Sequence, residues 1–222
     1  MMAPNTSALI ERLAREAGSV TRLRRPWARA LSWVALSLGF IAAVVLRWPF
    51  QEGFSLRPGD GRFIFEQAAA FGLAVTAAVA AFATTVPGYD RRILLLPVVP
   101  LALWMGHIGG SCIQDVLAHG FRSWFVGAHW PCLTTTIGVG TAPAVGIAVM
   151  LRRGAPLSPH LTTALGAVAA SGLANFGVRF VHGFDASLIV LTWHVGTLVA
   201  CSLVAGVAGR SLLKWRLSPG QS

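Results

Sequence analysis

Apolar and polar positions along this chain change over at the scale of whole helices, not of single residues. The first long uncharged run covers residues 30–46 and is bordered on one side by Arg22, Arg24, Arg25 and Arg29. Five further runs follow, at residues 63–86, 93–113, 131–151, 161–180 and 186–209. Each is close to the roughly 20 apolar residues that an α-helix needs to cross hydrocarbon. The pattern predicts an all-α polytopic membrane protein, with six transmembrane helices forming a bundle over residues 30–217. A segment of residues 1–29 precedes the bundle and a short disordered tail of residues 218–222 follows it.

The leading segment has a different rhythm. Leu9, Leu13, Ala17 and Val20 recur at helical spacing with Glu11, Arg12, Arg15 and Glu16 between them, and Asn5, Thr6 and Ser7 are available as caps. The prediction is a short amphipathic helix. A helix of fewer than about 12 to 15 residues is marginal in water, so this one needs a partner or a membrane surface to form.

Composition agrees with the spans. The chain is 55% hydrophobic and only 12% charged, against about 25% charged in a soluble domain, and its mean hydropathy is +0.64. The net charge of +10 would suggest nucleic acid in a soluble protein. Here its placement explains it better: 13 of the 18 Lys and Arg fall on one set of alternate segments, at both termini, Arg91–Arg92 and Arg152–Arg153. Cationic loops stay in the cytoplasm, so both termini are assigned inside, the lipid bilayer is the first partner, and no direct contact with nucleic acid is expected. The first span lies behind a polar leader and reads as an anchor, not a signal peptide.

Candidate chemistry gathers on the opposite side, around the third and fourth spans. Cys112, Asp115 and His119 are spaced i, i+3, i+7 and share a face if the third helix runs on past the bilayer. Cys132 opens the fourth helix at the same depth, with His107 and His129 near in sequence. Three readings stand: packed apolar thiols with interfacial histidines, a Cys112–Cys132 disulfide in an oxidising compartment, or a metal site drawn from His107, Cys112, Asp115, His119, His129 and Cys132. No CxxC or HExxH spacing is present, and no cofactor is expected beyond that regulatory metal. Cys201 reads as packing within the last span.

A second polar group comprises Asn175, Arg179, His182, Asp185 and His194. A charge near hydrocarbon is costly and is usually paired, so a structural ion pair of Arg179 with Asp185 is expected across the turn. His194 is a candidate pH-sensitive group. Gly106 and Gly110, and the alanine-rich run 68–83, allow close helix approach.

Several motifs together resemble one family. They are TSALIERLA at 6–14, VPGYDRRILLLPVVPLALW at 86–104, WPCL at 130–133, RRGAPLSP at 152–159 and HGFDASLIVLTWHVG at 182–196. The chain resembles the negative regulator of sigma F family, six-helix inner-membrane anti-sigma factors of proteobacteria. The resemblance implies a non-enzymatic protein whose cytoplasmic leader holds an extracytoplasmic-function sigma factor inactive, and we expect Leu9, Ile10 and Leu13 of the leader helix to present that contact. It also implies a periplasmic side that receives a stress signal through cysteines; oxidation, metal binding or thiol modification at Cys132 is the form of signal we expect. Cys132 matches the family's cysteine at the start of the fourth helix. Where the family commonly carries another after the histidine of the last periplasmic turn, this chain has Gly183, and our own reasoning offers Cys112 as the substitute. The competing reading is a small transporter or channel. It would need a continuous polar path from Asp115 or Asp185 towards the cytoplasm, through spans whose lower halves are glycine and alanine.

Overall fold

The computed structural model describes residues 6–16, 23–47, 61–120, 130–154, 156–180 and 195–213, without the side chains of Asp115, His119 and residues 130–133. Most of the described residues are helical, and there is no strand among them. The helices are α1 (Thr6–Glu16), α2 (Pro26–Arg47), α3 (Gly61–Ala83), α4 (Val98–His119), α5 (Trp130–Arg152), α6 (Pro159–Val178) and α7 (Gly196–Val207). A 3-10 helix, Arg91–Leu95, precedes α4, and a helical turn, Gly209–Leu212, follows α7.

Five helices among the described residues are long and apolar enough to cross a membrane: Pro26–Arg47, Gly61–Ala83, Arg91–Ala118, Thr134–Arg152 and Pro159–Val178. The sixth expected span, 186–209, is described only from residue 195, and its described part is the shorter apolar helix Gly196–Val207. The tail 218–222 lies outside the described residues.

Local chemistry sets the helix ends. Pro26 and Pro159 stand at the first positions of α2 and α6, where a missing N–H costs nothing. The α3 helix stops three residues short of the expected end because Thr84 and Thr85 turn back on it, their hydroxyls donating to the carbonyls of Ala81 and Phe82, both at 2.7 Å. The third span was expected from residue 93; instead Asp90 caps a 3-10 helix by accepting from the Arg92 amide at 2.9 Å. Pro97 then starts α4. Gly120, at φ 69°, ends α4 with its N–H donated to the Val116 carbonyl at 2.8 Å.

At the centre of the bundle lies α6, which packs against α3, α5 and α7. Its buried positions include Gly166, Ala169, Ala170, Gly172, Ala174 and Gly177, and Ala70 and Ala74 of α3 lie against it. A Cβ added to Gly172 would lie 3.2 Å from the Ala70 carbonyl oxygen and the Ala74 nitrogen. The two backbones are therefore in near contact, which small residues alone permit. Large side chains fill the remaining space: Trp33, Phe82, Leu151, Leu173 and Val178 in the main core, and Leu73, Trp104, Ile108 and Leu198 beside it.

Candidate functional site

The leader forms the predicted amphipathic helix over 11 residues. Its polar face is braced by two i, i+4 pairs, Arg12 Nε to Glu16 Oε1 at 2.8 Å and Arg15 Nη2 to Glu11 Oε1 at 3.6 Å. Such exposed pairs contribute a few tenths of a kcal/mol, about enough to bias a helix and too little to hold one. The other face is uncovered: Leu9, Ile10 and Leu13 are 52%, 62% and 57% exposed, and α1 has no buried residue. Leu9 and Leu13 stand one turn apart and Ile10 beside them, so the three make one apolar stripe.

At one end of the bundle, two of the residues singled out in the sequence, His107 and Cys112, have described side chains. Helix α4 does continue to His119, so Cys112, Asp115 and His119 occupy i, i+3 and i+7 of a single helix. Cys112 is a free thiol, 8% exposed. His107 is half-buried with its ring 5.1 Å from that of Phe65. Five residues from Cys112, it lies about 140° around the helix and does not share the thiol's face. Cys132 is the third residue of α5, its side chain outside the described set, as are His129, Asp185 and His194. Among the described residues no group of three or more His, Cys, Asp or Glu is placed to hold a metal ion. Cys201, expected to pack, is exposed on the flank of α7.

The ion pair at this end involves a residue that the sequence reading passed over. Arg179, at the C-terminal end of α6, donates from Nη2 to Glu66 Oε2 of α3 at 3.1 Å, with both side chains about one-eighth exposed. Beside it Gln67 donates from Nε2 to the Phe176 carbonyl at 3.0 Å, and Phe63 meets Phe180 edge to face at 6.1 Å. Arg62 reaches Gln114 Oε1 of α4 at 2.7 Å. The start of α3 is thereby tied to both α4 and α6. The signal for Glu66 was available, since it is an acid within a run long enough to span the bilayer. Asp185, the partner expected from the sequence, lies outside the described residues.

The opposite end holds a correction. Arg29, counted above as the last residue of the segment ahead of the first span, is 6% exposed and inside the bundle. Its Nη1 donates to Thr85 Oγ1 at 2.9 Å, its Nη2 donates to the Met150 carbonyl, and its Cζ lies 4.5 Å from the centre of the Phe82 ring. Pro26 begins α2, which puts Arg29 in the helix and separates it from Arg24 and Arg25. Around it, Thr84 and Thr162 share a hydrogen bond at 2.8 Å, Arg152 Nε donates to the Leu212 carbonyl at 2.8 Å, and His160 Nδ1 lies 2.7 Å from the Gly206 carbonyl.

The molecule thus offers an uncovered apolar stripe at its leader, a buried arginine where α2, α3 and α5 meet, and a paired carboxylate at the far end. A family model described as negative regulator of sigma F matches residues 13–215. No curated protein and no solved structure matches the chain.

Proposed function

We propose, proceeding from the fact that this chain belongs to the negative regulator of sigma F family, that α1 is the arm by which it holds a sigma factor inactive at the membrane. Negative regulation of a sigma factor is what membership of the family indicates. The observation that carries the finer reading is the stripe of Leu9, Ile10 and Leu13, exposed on a helix that buries nothing. A helix this short gains order by laying such a stripe in a groove, and here the occupant is a small sigma factor of the extracytoplasmic-function class.

The rest of the reading concerns release. With both termini in the cytoplasm of a bacterial inner membrane, Cys132 and Cys112 belong to the periplasmic half, where a thiol-reactive, oxidative or metal signal arrives. Cys112, being buried, reacts only after α4 or its neighbours have moved, and Cys132 is assigned the first contact with the signal because it matches the family's cysteine at the start of the fourth span. About 2 to 3 kcal/mol of differential stabilisation between two bundle arrangements would change bound sigma roughly a hundredfold.

The test is capture of the sigma factor co-expressed with the full-length protein. Leu9→Asp and Leu13→Asp, placed on the stripe, should abolish co-purification while leaving the protein in the membrane, and Ala8→Asp, on the charged face, should not. Capture that survives both leucine substitutions would move the interface to the loops between spans. Cys132→Ser should remain repressing under oxidant or metal stress; full derepression in that variant would rule out the thiol.

A further inference from the structure

Arg29 is a buried charge without a carboxylate: among the described residues no acid forms an ion pair with it. What surrounds it instead is two helix ends. Met150 supplies one of the last four carbonyls of α5, which have no partner inside their own helix. Phe82 and Thr85 stand at the C-terminal end of α3, and Thr85 relays the contact by donating its own hydroxyl to the Phe82 carbonyl at 2.7 Å. Each helix C-terminus carries about half a negative charge, so the two together balance one guanidinium. The planar fork of an arginine reaches both ends at once, and an ammonium does not.

The position of Arg29 in the chain gives this cluster its consequence. It lies in the first turn of α2, four residues beyond Arg25, where the leader joins the bundle. One turn further on, Trp33 Nε1 donates to the carbonyl of Pro143 within α5 at 2.9 Å. The start of α2 therefore grips α5 at two carbonyls along one buried face. Helix α5 runs unbroken from Trp130 to Arg152, so its residue Met150 is about 27 Å from Cys132 along the same rod.

We infer that Arg29 is the positioning residue of the sigma-binding arm: it fixes the first turn of α2 to the ends of α3 and α5, and a shift of α5 frees that turn and repositions the arm. The inference rests on α1 being that arm. Nothing in it needs Arg29 to touch the sigma factor, which separates a positioning role from a binding one. Gly154 provides a second handle on the same contact. A Cβ there would lie 2.5 Å from Thr85 Cβ, so alanine must displace the threonine that accepts from Arg29.

The test uses the full chain reconstituted with its sigma factor and reads amide hydrogen exchange alongside capture. In Arg29→Gln, exchange over residues 26–33 should rise and capture should fall, each about tenfold, while the amides of α6 keep wild-type protection and show that the bundle is folded. Arg29→Lys should be intermediate. Gly154→Ala should act in the same direction and add little to Arg29→Gln, as expected for two changes to one contact; it also supplies the reading if Arg29→Gln fails to assemble. Unchanged exchange at residues 26–33 in Arg29→Gln, or in Gly154→Ala where that variant replaces it, overturns the inference, and so does raised exchange with unaltered capture. Loss of capture in Leu13→Asp alone, with the Arg29 and Gly154 variants silent, removes the positioning role and leaves the arm. Raised exchange with capture indifferent to Leu13 overturns the arm and, with it, the role assigned to Arg29.

Discussion

Glu66 and Arg179 illustrate how a charged pair behaves when it is nearly out of water. Its formation stabilises little relative to apolar side chains of the same size, but removing one member leaves the other charge in low dielectric. Arg179→Met strands the Glu66 carboxylate, which sits about one-tenth exposed on α3, and is expected to cost about 3–5 kcal/mol. Glu66→Leu combined with Arg179→Met should recover most of that loss. Thermal unfolding in detergent measures both. A double variant as unstable as Arg179→Met would mean that the arginine acts through contacts other than the one with Glu66. At the same scale, Gly172→Val should destabilise by about 1–3 kcal/mol, because the backbone atoms 3.2 Å from its missing Cβ belong to the α3 helix and have nowhere to move.

At the level of elements, α1 and α6 are opposites. Helix α1 is amphipathic and unburied; its 11 residues fall below the length at which a helix holds itself in water. As a peptide, residues 1–22 should show little helix by circular dichroism and gain it on adding the sigma factor; helix content unchanged by binding would argue for a preformed arm. Helix α6 has no distinct polar face, and its polar residues Thr162, Thr163 and Asn175 are buried, which is the signature of a central helix. That contrast also explains what was legible. The leader helix, its stripe and five long apolar helices followed from periodicity and run length, because those depend on each segment alone. The central place of α6 did not, since a uniformly small and apolar helix carries no facing information. The Glu66–Arg179 contact and the burial of Arg29 were missed for a related reason: both depend on which helix ends meet, and a sequence gives the residues at each end without giving the neighbours. Asp185, nearest in sequence to Arg179, was the natural expectation where only sequence distance could be read. For the cysteines, the register of Cys112 along α4 followed from spacing, but burial of its thiol depended on packing between helices.

For the whole molecule the open quantity is the parity of crossings, and the contacts at the Arg29 end bear on it. Arg29 lies in the first turn of α2, Thr85 follows the end of α3, Met150 lies near the end of α5, and Thr162, bonded to Thr84, lies near the start of α6. These sit together. The Glu66–Arg179 pair, at the start of α3 and the end of α6, marks the other end of the bundle. After Arg179 the chain must return, because Gly206 lies beside His160 and the Leu212 carbonyl accepts from Arg152. Helix α6 is 20 residues, about 30 Å, and Gly206 is back beside its first turn. Five crossings would leave the termini in different compartments, whereas a sixth return brings the last helical turn back beside the arginine-rich end that the charge bias assigns to the cytoplasm. The expected result is that green fluorescent protein fused at either terminus fluoresces, and that alkaline phosphatase inserted at residues 48–60 or 121–129 is active while the same enzyme fused after Leu213 is not. Active phosphatase after Leu213, with a fluorescent N-terminal fusion, would require an odd number of crossings and would place α7 and its contacts with α6 on the wrong side of the bilayer.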